Sequence, residues 1–247
     1  MFNLTEDHLY HFTSVKSAMG IIKSGELWFS KIDRLNDINE IRGPEVLIMD
    51  NRDKDRLQDL LSHFTQISLT ADKDGHYGFD IPAMWGHYAE NGRGVCLVFD
   101  KHKVLDEVRK RKMYANYVTY SDERDLNDLL YDSDKYGSPD VFIRANKDEL
   151  FFRKTKDWEY EQEFRLITID DAPECFSIKD AIQAVVLYGY TRDELISSCR
   201  YQMLSSVICS TDIYRYKSDY GHWNLYDMKD NNLRAPITYN MPIAYEE

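Results

Sequence analysis

The stretch "HLYHFTSVKSAMGIIKSGELWFS", residues 8–30, changes its hydrophobic period twice and thereby decides the fold class. Leu9 to Thr13 is a run of strand formers, and alternation puts Leu9, His11 and Thr13 on one face with Tyr10 and Phe12 on the other. Val15, Ala18, Met19 and Ile22 then recur at helical spacing, and Gly25 closes that helix. Leu27 to Ile32 reads as a second strand, and "RLNDINE" has the loop chemistry of Asn and Asp. Strand, helix, strand and loop in quick succession predict mixed α and β structure.

Working outward, an amphipathic helix is expected over Glu45–Gln66 on the stripe Leu57, Leu60, Leu61 and Phe64, with a short strand at Ile67–Thr70. Asp72–Pro82, with three aspartates and two glycines, reads as a surface loop. "PAMWGHYAENGRG" (82–94) reads as a helical turn closed by glycines, and "GVCLVFD" (94–100) as a buried strand. A helix over 101–112 and a strand at Tyr114–Tyr120 follow, and the acidic segment Asp122–Tyr136 is a helix or an insertion. Ser138 and Pro139 open a helix carrying Val141, Phe142, Ala145 and Phe152. "EQEFRLITI" (161–169) and "AIQAVVLYG" (181–189) are strand-like, and Thr191-x-x-Glu194 is a capping box for a helix to about Val207. "IYRYKS" and "HWNLYDM" predict two closing strands joined around Gly221. Without regular β-α alternation, and with no Gly-x-Gly-x-x-Gly between strand and helix, the chain reads as α+β rather than doubly wound. The P-loop is absent too, so a bound nucleotide would be held by side chains and strand edges.

The chain has 247 residues, 43% of them hydrophobic, with 18 Tyr and 11 Phe, enough for a packed core in a single domain spanning 1–247. The 43 acidic residues outnumber the 31 basic ones, and the net charge of −12 excludes a broad basic surface for duplex nucleic acid or anionic lipid. Arg109–Lys112 is a local basic patch or the solvated end of a helix. Cys96, Cys175, Cys199 and Cys209 have no zinc-like spacing and read as reduced and mostly buried. "MFNLTEDHLY" has no secretory pattern and no apolar run reaches the roughly 18 residues a membrane span needs, so a cytoplasmic protein is expected.

Three constellations could carry chemistry. His11 and Thr13 form a donor and acceptor pair suited to a ribose hydroxyl, or else a satisfied strand histidine and the N-cap of the next helix. In "KDWEYEQEFRLI", Glu161, Glu163 and Arg165 share one strand face, with Gln162, Phe164 and Leu166 on the other. They are then either paired carboxylates able to stabilise positive charge at a breaking glycosidic bond, or a charged solvent face. Trp85, His87 and Tyr88 offer stacking surface and a polar handle, or core packing. Asn36, Asp37 and Glu40 match no cation loop, and His8 and His11 point to opposite strand faces, so no metal site is expected.

In their order, "LYHFTS", "LWFSKIDRLND", "MWGHYAENGRGVCLVFD" and "WEYEQEFRLI" resemble an uncharacterised bacterial family associated with the ADP-ribosyltransferase superfamily and with phage-defence or toxin roles. The resemblance implies an ADP-ribosyltransferase-like fold, a mixed or antiparallel two-layer sheet core with flanking helices, and NAD as co-substrate without a metal. It implies Glu163 as the catalytic carboxylate with Glu161 as its helper, and His11 and Thr13 on a ribose of NAD. Ser30 would orient the glutamate, and Trp85, His87, Tyr88 and Arg165 would complete the pocket. It further implies a toxin of phage defence or a toxin-antitoxin system that modifies nucleic acid, with RNA favoured, and an antitoxin or regulatory partner. A protein-directed transferase, an NAD glycohydrolase and a non-catalytic nucleotide-sensing or partner-binding module are the other readings.

Overall fold

The computed structural model describes residues 7–31, 46–48, 53–73, 75–121, 129–168, 174–189, 192–208, 211–219, 222–229 and 237–238. In chain order its strands are β1 (His8–Thr13), β2 (Glu26–Trp28), β3 (Ser30–Lys31), β4 (Leu47–Ile48), β5 (Thr65–Ala71), β6 (Val95–Asp100), β7 (Tyr114–Tyr117) and β8 (Thr119–Ser121). They continue with β9 (Leu130–Tyr131), β10 (Arg153–Thr155), β11 (Glu163–Thr168), β12 (Cys175–Ser177), β13 (Ile182–Tyr188), β14 (Asp212–Asp219), β15 (His222–Asp227) and β16 (Ile237–Thr238). The helices are α1 (Val15–Ser24), α2 (Lys54–His63), α3 (Pro82–Tyr88), α4 (Lys101–Lys110), α5 (Ser133–Tyr136), α6 (Pro139–Ala145), α7 (Lys147–Phe151), α8 (Arg192–Ile196) and α9 (Cys199–Ser205). The structure is α+β with mainly antiparallel strands. The chain divides into two compact units, Met1–Glu26, Leu69–Glu107 and Ser177–Glu247 in one, Leu27–Ser68 and Val108–Phe176 in the other.

In the first unit β1 is antiparallel to β6 from His8↔Asp100 to Thr13↔Val95, and to β5 at Leu9↔Ala71 and Tyr10↔Thr70. β6 also pairs antiparallel with β13, which explains its composition: Val95 to Phe99 are fully buried, as a strand covered on both faces must be. β13 and β14 are parallel, so the chain between them makes a crossover, and α8 and α9 lie on it. Ser198 caps α9 by accepting from the Tyr201 N–H, which breaks the single helix expected here, and Thr191 lies outside the described residues. β14 and β15 pair antiparallel from Tyr214↔Asp227 to Asp219↔His222, the two strands expected at the end of the chain.

The helix after β1 is capped by Ser14, whose Oγ accepts from the Ser17 N–H at 3.0 Å, so Thr13 is not the cap. It ends as expected on Gly25, at φ 70°. The surface loop expected over Asp72–Pro82 holds only in part: Gly75 and Pro82 are exposed, whereas its middle is buried. Gly78, Phe79 and Asp80 form a buried 3-10 turn, and the Asp72 carboxylate ties it down by accepting from the N–H groups of Gly78 (2.9 Å) and His8 (3.3 Å). The Tyr216 hydroxyl donates to the Asp80 carboxylate, giving this buried acid a partner.

In the second unit β3 pairs with the start of β5 (Ser30↔Gln66, Lys31↔Thr65), β11 is antiparallel to β7, and β10 is parallel to β8. Leu57, Leu61 and Phe64, three of the four predicted stripe residues of α2, enter a core with Phe142, Ile143, Leu150, Phe151, Phe152 and Ile167. That helix is shorter than expected, and Leu47–Ile48 is a strand. The expected strand over 114–120 is two, broken at buried Val118, whose N–H donates to the Glu163 carbonyl at 2.9 Å. Cys96 is buried, Cys175 is half-buried and Cys199 is exposed, contrary to the expectation for the last, while Cys209 lies outside the described residues. Among the described residues no helix is long and apolar enough to cross a membrane.

A Cβ at Gly94 would lie 2.3 Å from the Thr13 carbonyl oxygen and 2.9 Å from the Ala89 backbone, whereas one at Gly20 in α1 meets nothing within 4 Å. Gly94→Ala is therefore expected to destabilise by about 2 kcal/mol or more. Gly20→Ala is expected to stabilise by about 0.5–1 kcal/mol. Urea unfolding of the two variants reads both signs.

Candidate functional site

Glu161, Gln162 and Glu163 are not one strand. Glu161 ends a 3-10 helix over Lys156–Glu161, Gln162 is left-handed at φ 45° and ψ 48°, and β11 begins at Glu163. The bend brings both carboxylates to one ammonium: Lys154 Nζ is 2.6 Å from Glu161 Oε2 and 3.2 Å from Glu163 Oε2. Arg165 grips Glu163 with a fork, Nε to Oε1 at 2.7 Å and Nη2 to Oε2 at 2.8 Å, and its Nη1 donates to the Phe151 carbonyl at 2.7 Å. All four side chains are buried, Arg165 to 2%, Glu163 to 3%, Glu161 to 5% and Lys154 to 6% exposure, so the charged solvent face that E-x-E-x-R could have been is ruled out.

Burial pushes the Glu163 carboxyl up, and the Arg165 guanidinium and Lys154 ammonium outweigh burial to hold it well below the usual carboxylate range. The Ser68 hydroxyl also bonds to it, and Gln66 Nε2 donates to Ser68 Oγ at 3.1 Å. Ser68 is exposed, so this chain of hydrogen bonds runs from the buried acid to the surface. The Glu163 backbone is fixed as well, its N–H donating to the Tyr120 hydroxyl at 2.9 Å. Burial pushes the Tyr120 hydroxyl pKa up, so it is a neutral phenol at physiological pH. Trp158 places its ring centroid 5.0 Å from Lys154 Nζ.

Lys154 was missed from the sequence. The available signal was its place in "FFRKT", directly after two aromatics, Phe151 and Phe152, that are buried as Lys154 is. Arg153 turns the other way, pairs with Glu149 at 2.7 Å and, with Asn116, Thr119, Asp148 and Phe152, lines a cavity of about 270 Å³. Ser30, expected to orient the glutamate, lies half-buried in register with Gln66. Arg165, assigned to the dinucleotide, is instead the internal counter-ion of Glu163.

In the first unit Tyr10 and Phe12 are buried while His11 and Thr13 are partly exposed, the alternation expected of β1. Phe12 meets Trp85 edge-on at 5.2 Å, and the Trp85 indole N–H donates to the Phe79 carbonyl at 2.7 Å. Trp85 is 2% exposed and stacks on Tyr216, so the core reading of this residue holds and the NAD-stacking one does not. His87 is exposed and Tyr88 half-buried. After α3, Glu90, Asn91 and Gly92 are all left-handed, at φ 49°, 56° and 79°. Arg200 pins this turn by donating to the carbonyls of Gly92 (3.0 Å) and Tyr188 (2.7 Å). The close approach of Gly94 to Thr13 sets the end of "MWGHYAENGRG" beside the polar end of β1. Among the described residues no three His, Cys, Asp or Glu side chains are grouped as a metal site would need, and Asn36, Asp37 and Glu40 lie outside them.

A family model described as a protein of unknown function (DUF2971) matches residues 84–166. The matched span holds the turn after α3 and all four charges of the Glu163 cluster, and does not reach His11, Thr13 or Ser30. No curated protein matches the chain. Among solved structures it is similar to Thermus sp. 2.9 DarT in complex with ADP-ribosylated ssDNA, at 12% identity and a TM-score of 0.35, over 83% of this chain and 92% of that one. A likeness at that score carries no inference about activity.

The ionised form of Glu163 is favoured in the fold, so its contribution to stability is present above the ordinary glutamate value of about 4.3 and is lost as pH falls through the lower folded value. Glu163→Gln strands Arg165 and is expected to cost about 3 kcal/mol or more at neutral pH. That cost is expected to shrink on acidification below about pH 4. Denaturant unfolding at a series of pH values measures it.

Proposed function

We propose that this chain is an NAD-dependent ADP-ribosyltransferase whose acceptor is a nucleic acid. The observation that carries this reading is the Glu163 carboxylate in its Glu-x-Glu setting, 3% exposed and held ionised by two cations. A carboxylate in a dry setting acts on developing positive charge more strongly than in water, an effect that the two cations paired with it here reduce. When the bond between nicotinamide and ribose breaks, nicotinamide leaves with the electron pair and C1 of the ribose becomes cationic. Glu163 is the group assigned to that charge and Glu161 its helper. A nucleophile of the acceptor then bonds to C1 and releases its proton.

His11 and Thr13, partly exposed on the β1 face opposite Phe12, supply polar groups of the type that bind ribose hydroxyls. Ser30, His87 and Tyr88 stay in the proposed binding set, each being at least partly accessible, and Trp85 and Arg165 leave it. With a net charge of −12, the acceptor is a single strand gripped locally rather than a duplex. Neither unit supports a preference for RNA over DNA. Growth arrest on expression, relieved by an antitoxin, is the biological role this reading takes, in defence against phage or within a toxin-antitoxin pair.

The completeness of the Lys154, Glu161, Glu163 and Arg165 cluster favours a second reading, in which these charges clamp a non-catalytic nucleotide-sensing or partner-binding module.

The test is to incubate the purified protein with NAD labelled in its adenylate phosphate and with RNA, single-stranded DNA or lysate protein. Label on a nucleic acid with release of nicotinamide is the expected result, reduced about a hundredfold or more in folded His11→Ala, Thr13→Val and Glu161→Gln variants. NAD loss without transfer indicates a glycohydrolase, label on protein a protein-directed enzyme, and intact NAD with folded protein the non-catalytic module.

A further inference from the structure

Arg153 and Thr119 are in register on the parallel strands β10 and β8, so their side chains share a face, and both line the cavity of about 270 Å³. The next registered pair, Lys154 and Tyr120, belongs to the other face, where the Lys154 ammonium meets the Glu163 carboxylate and the Tyr120 hydroxyl accepts from the Glu163 N–H. Two further ties run through the backbone. Phe152 follows Phe151, whose carbonyl holds Arg165, and Thr119 follows Val118, whose N–H donates to the Glu163 carbonyl. The cavity therefore backs onto the Glu163 cluster across two short strands, and both lie in the second unit. Its volume falls just below the roughly 300–1,000 Å³ of pockets that enclose drug-sized ligands, so it holds one ring system rather than a whole dinucleotide.

The polar lining selects among ring systems. The Asp148 carboxylate has two long contacts, Lys147 Nζ at 3.3 Å and Asn116 Nδ2 at 3.5 Å, and its side chain is 57% exposed, so its paired oxygens keep lone pairs for a ligand. Arg153 gives Nη1 to Glu149 Oε2 at 2.7 Å and keeps the other N–H groups of its fork. A carboxylate matches two adjacent N–H donors, and among the common bases guanine alone carries that pair, N1–H beside the N2 amino group, with O6 and N7 as acceptors for a guanidinium. Adenine, cytosine and uracil set an acceptor beside the donor, which brings a lone pair against the carboxylate. An arginine side chain of a protein also presents two donors, but it is cationic and would meet Arg153 in the same cavity. We propose that this cavity binds a guanine base, with Asp148 accepting from N1–H and the N2 amino group, Arg153 donating to O6 or N7, and buried Phe152 as the apolar floor. The base belongs to a strand or to a free guanine nucleotide, and a strand as its source rests on the transferase reading.

The test measures, by calorimetry and without NAD, the binding of guanosine, adenosine, cytidine, uridine and xanthosine 5′-monophosphates and of single-stranded RNA and DNA oligonucleotides with and without a guanine. Guanosine monophosphate is expected to bind about tenfold or more tightly than the adenosine, cytidine and uridine compounds. Asp148→Asn is expected to remove that preference and to favour xanthosine monophosphate, whose N1–H beside a C2 carbonyl matches an amide. Arg153→Met should weaken guanosine monophosphate about tenfold. Asp148 is an exposed residue of α7 and asparagine keeps its shape, so the variant reads recognition rather than folding, which urea unfolding checks. Equal binding of the four common monophosphates, binding of none of them and none of the strands, or a guanine preference that Asp148→Asn leaves unchanged overturns the proposal. Guanine-bearing strands that bind far more tightly than the monophosphate support a base of the strand as the occupant, and equal affinities support the free nucleotide. A folded protein that binds guanine but leaves NAD intact sinks the transferase reading alone. One that transfers ADP-ribose yet shows no preference for guanine in any of these ligands sinks the guanine site alone.

Discussion

Four buried charges meet in the second unit, and its local structure follows from the need to pair them. A single unpaired ion at 2–6% exposure would be prohibitive, so Lys154, Glu161, Glu163 and Arg165 form a set with no net charge. The geometry of the set dictates backbone features that the residues alone do not favour. Gln162 takes a left-handed conformation, which costs a non-glycine residue, and this bend lets Glu161 and Glu163 reach the same ammonium. The break between β7 and β8 at Val118 and the hydrogen bond from the Glu163 N–H to Tyr120 fix the start of β11 from its neighbours. Buried ionic sets of this kind contribute little net stability compared with apolar side chains of the same size. What they provide is one arrangement of the segments that carry them, together with strong local electrostatics.

The first unit is organised differently, around aromatic packing with single polar ties. Tyr10, Phe79, Trp85, Tyr188 and Tyr216 meet in edge-on, tilted and stacked contacts. The Asp72 carboxylate on two backbone N–H groups and the Tyr216 bond to Asp80 remove the polar cost of closing that core. Burial still pushes the Asp72 carboxyl up, with the N–H groups partly offsetting it. Along β1 the alternation then leaves His11 and Thr13 on the less buried side, beside a turn held tight by Gly94 and Arg200.

Local pattern was legible wherever neighbours in sequence decide the outcome. The alternation of β1, the stripe of α1 with its closing glycine, the apolar run of β6 and the final strand pair all follow from period and composition. The failures occur where a distant residue intervenes. A loop reading of Asp72–Pro82 followed from its Asp and Gly content, but Phe79 finds an aromatic pocket and Asp72 ties the turn to β1. By residue type Trp85 could serve ligand stacking or core packing, and Phe12, Phe79 and Tyr216 around it decide for the core.

By itself the sequence determined the α+β class, the two faces of β1 and the chemistry available at Glu161, Glu163 and Arg165, because period and residue type are local properties. Only the tertiary structure decided that Arg165 serves Glu163 rather than a ligand and that these charges are inside. It also supplied Lys154 as the cation that both glutamates share. Charge pairing in a desolvated space depends on which strands become neighbours, and sequence separations of seven and nine between Lys154 and its partners carry no periodic signal of that meeting.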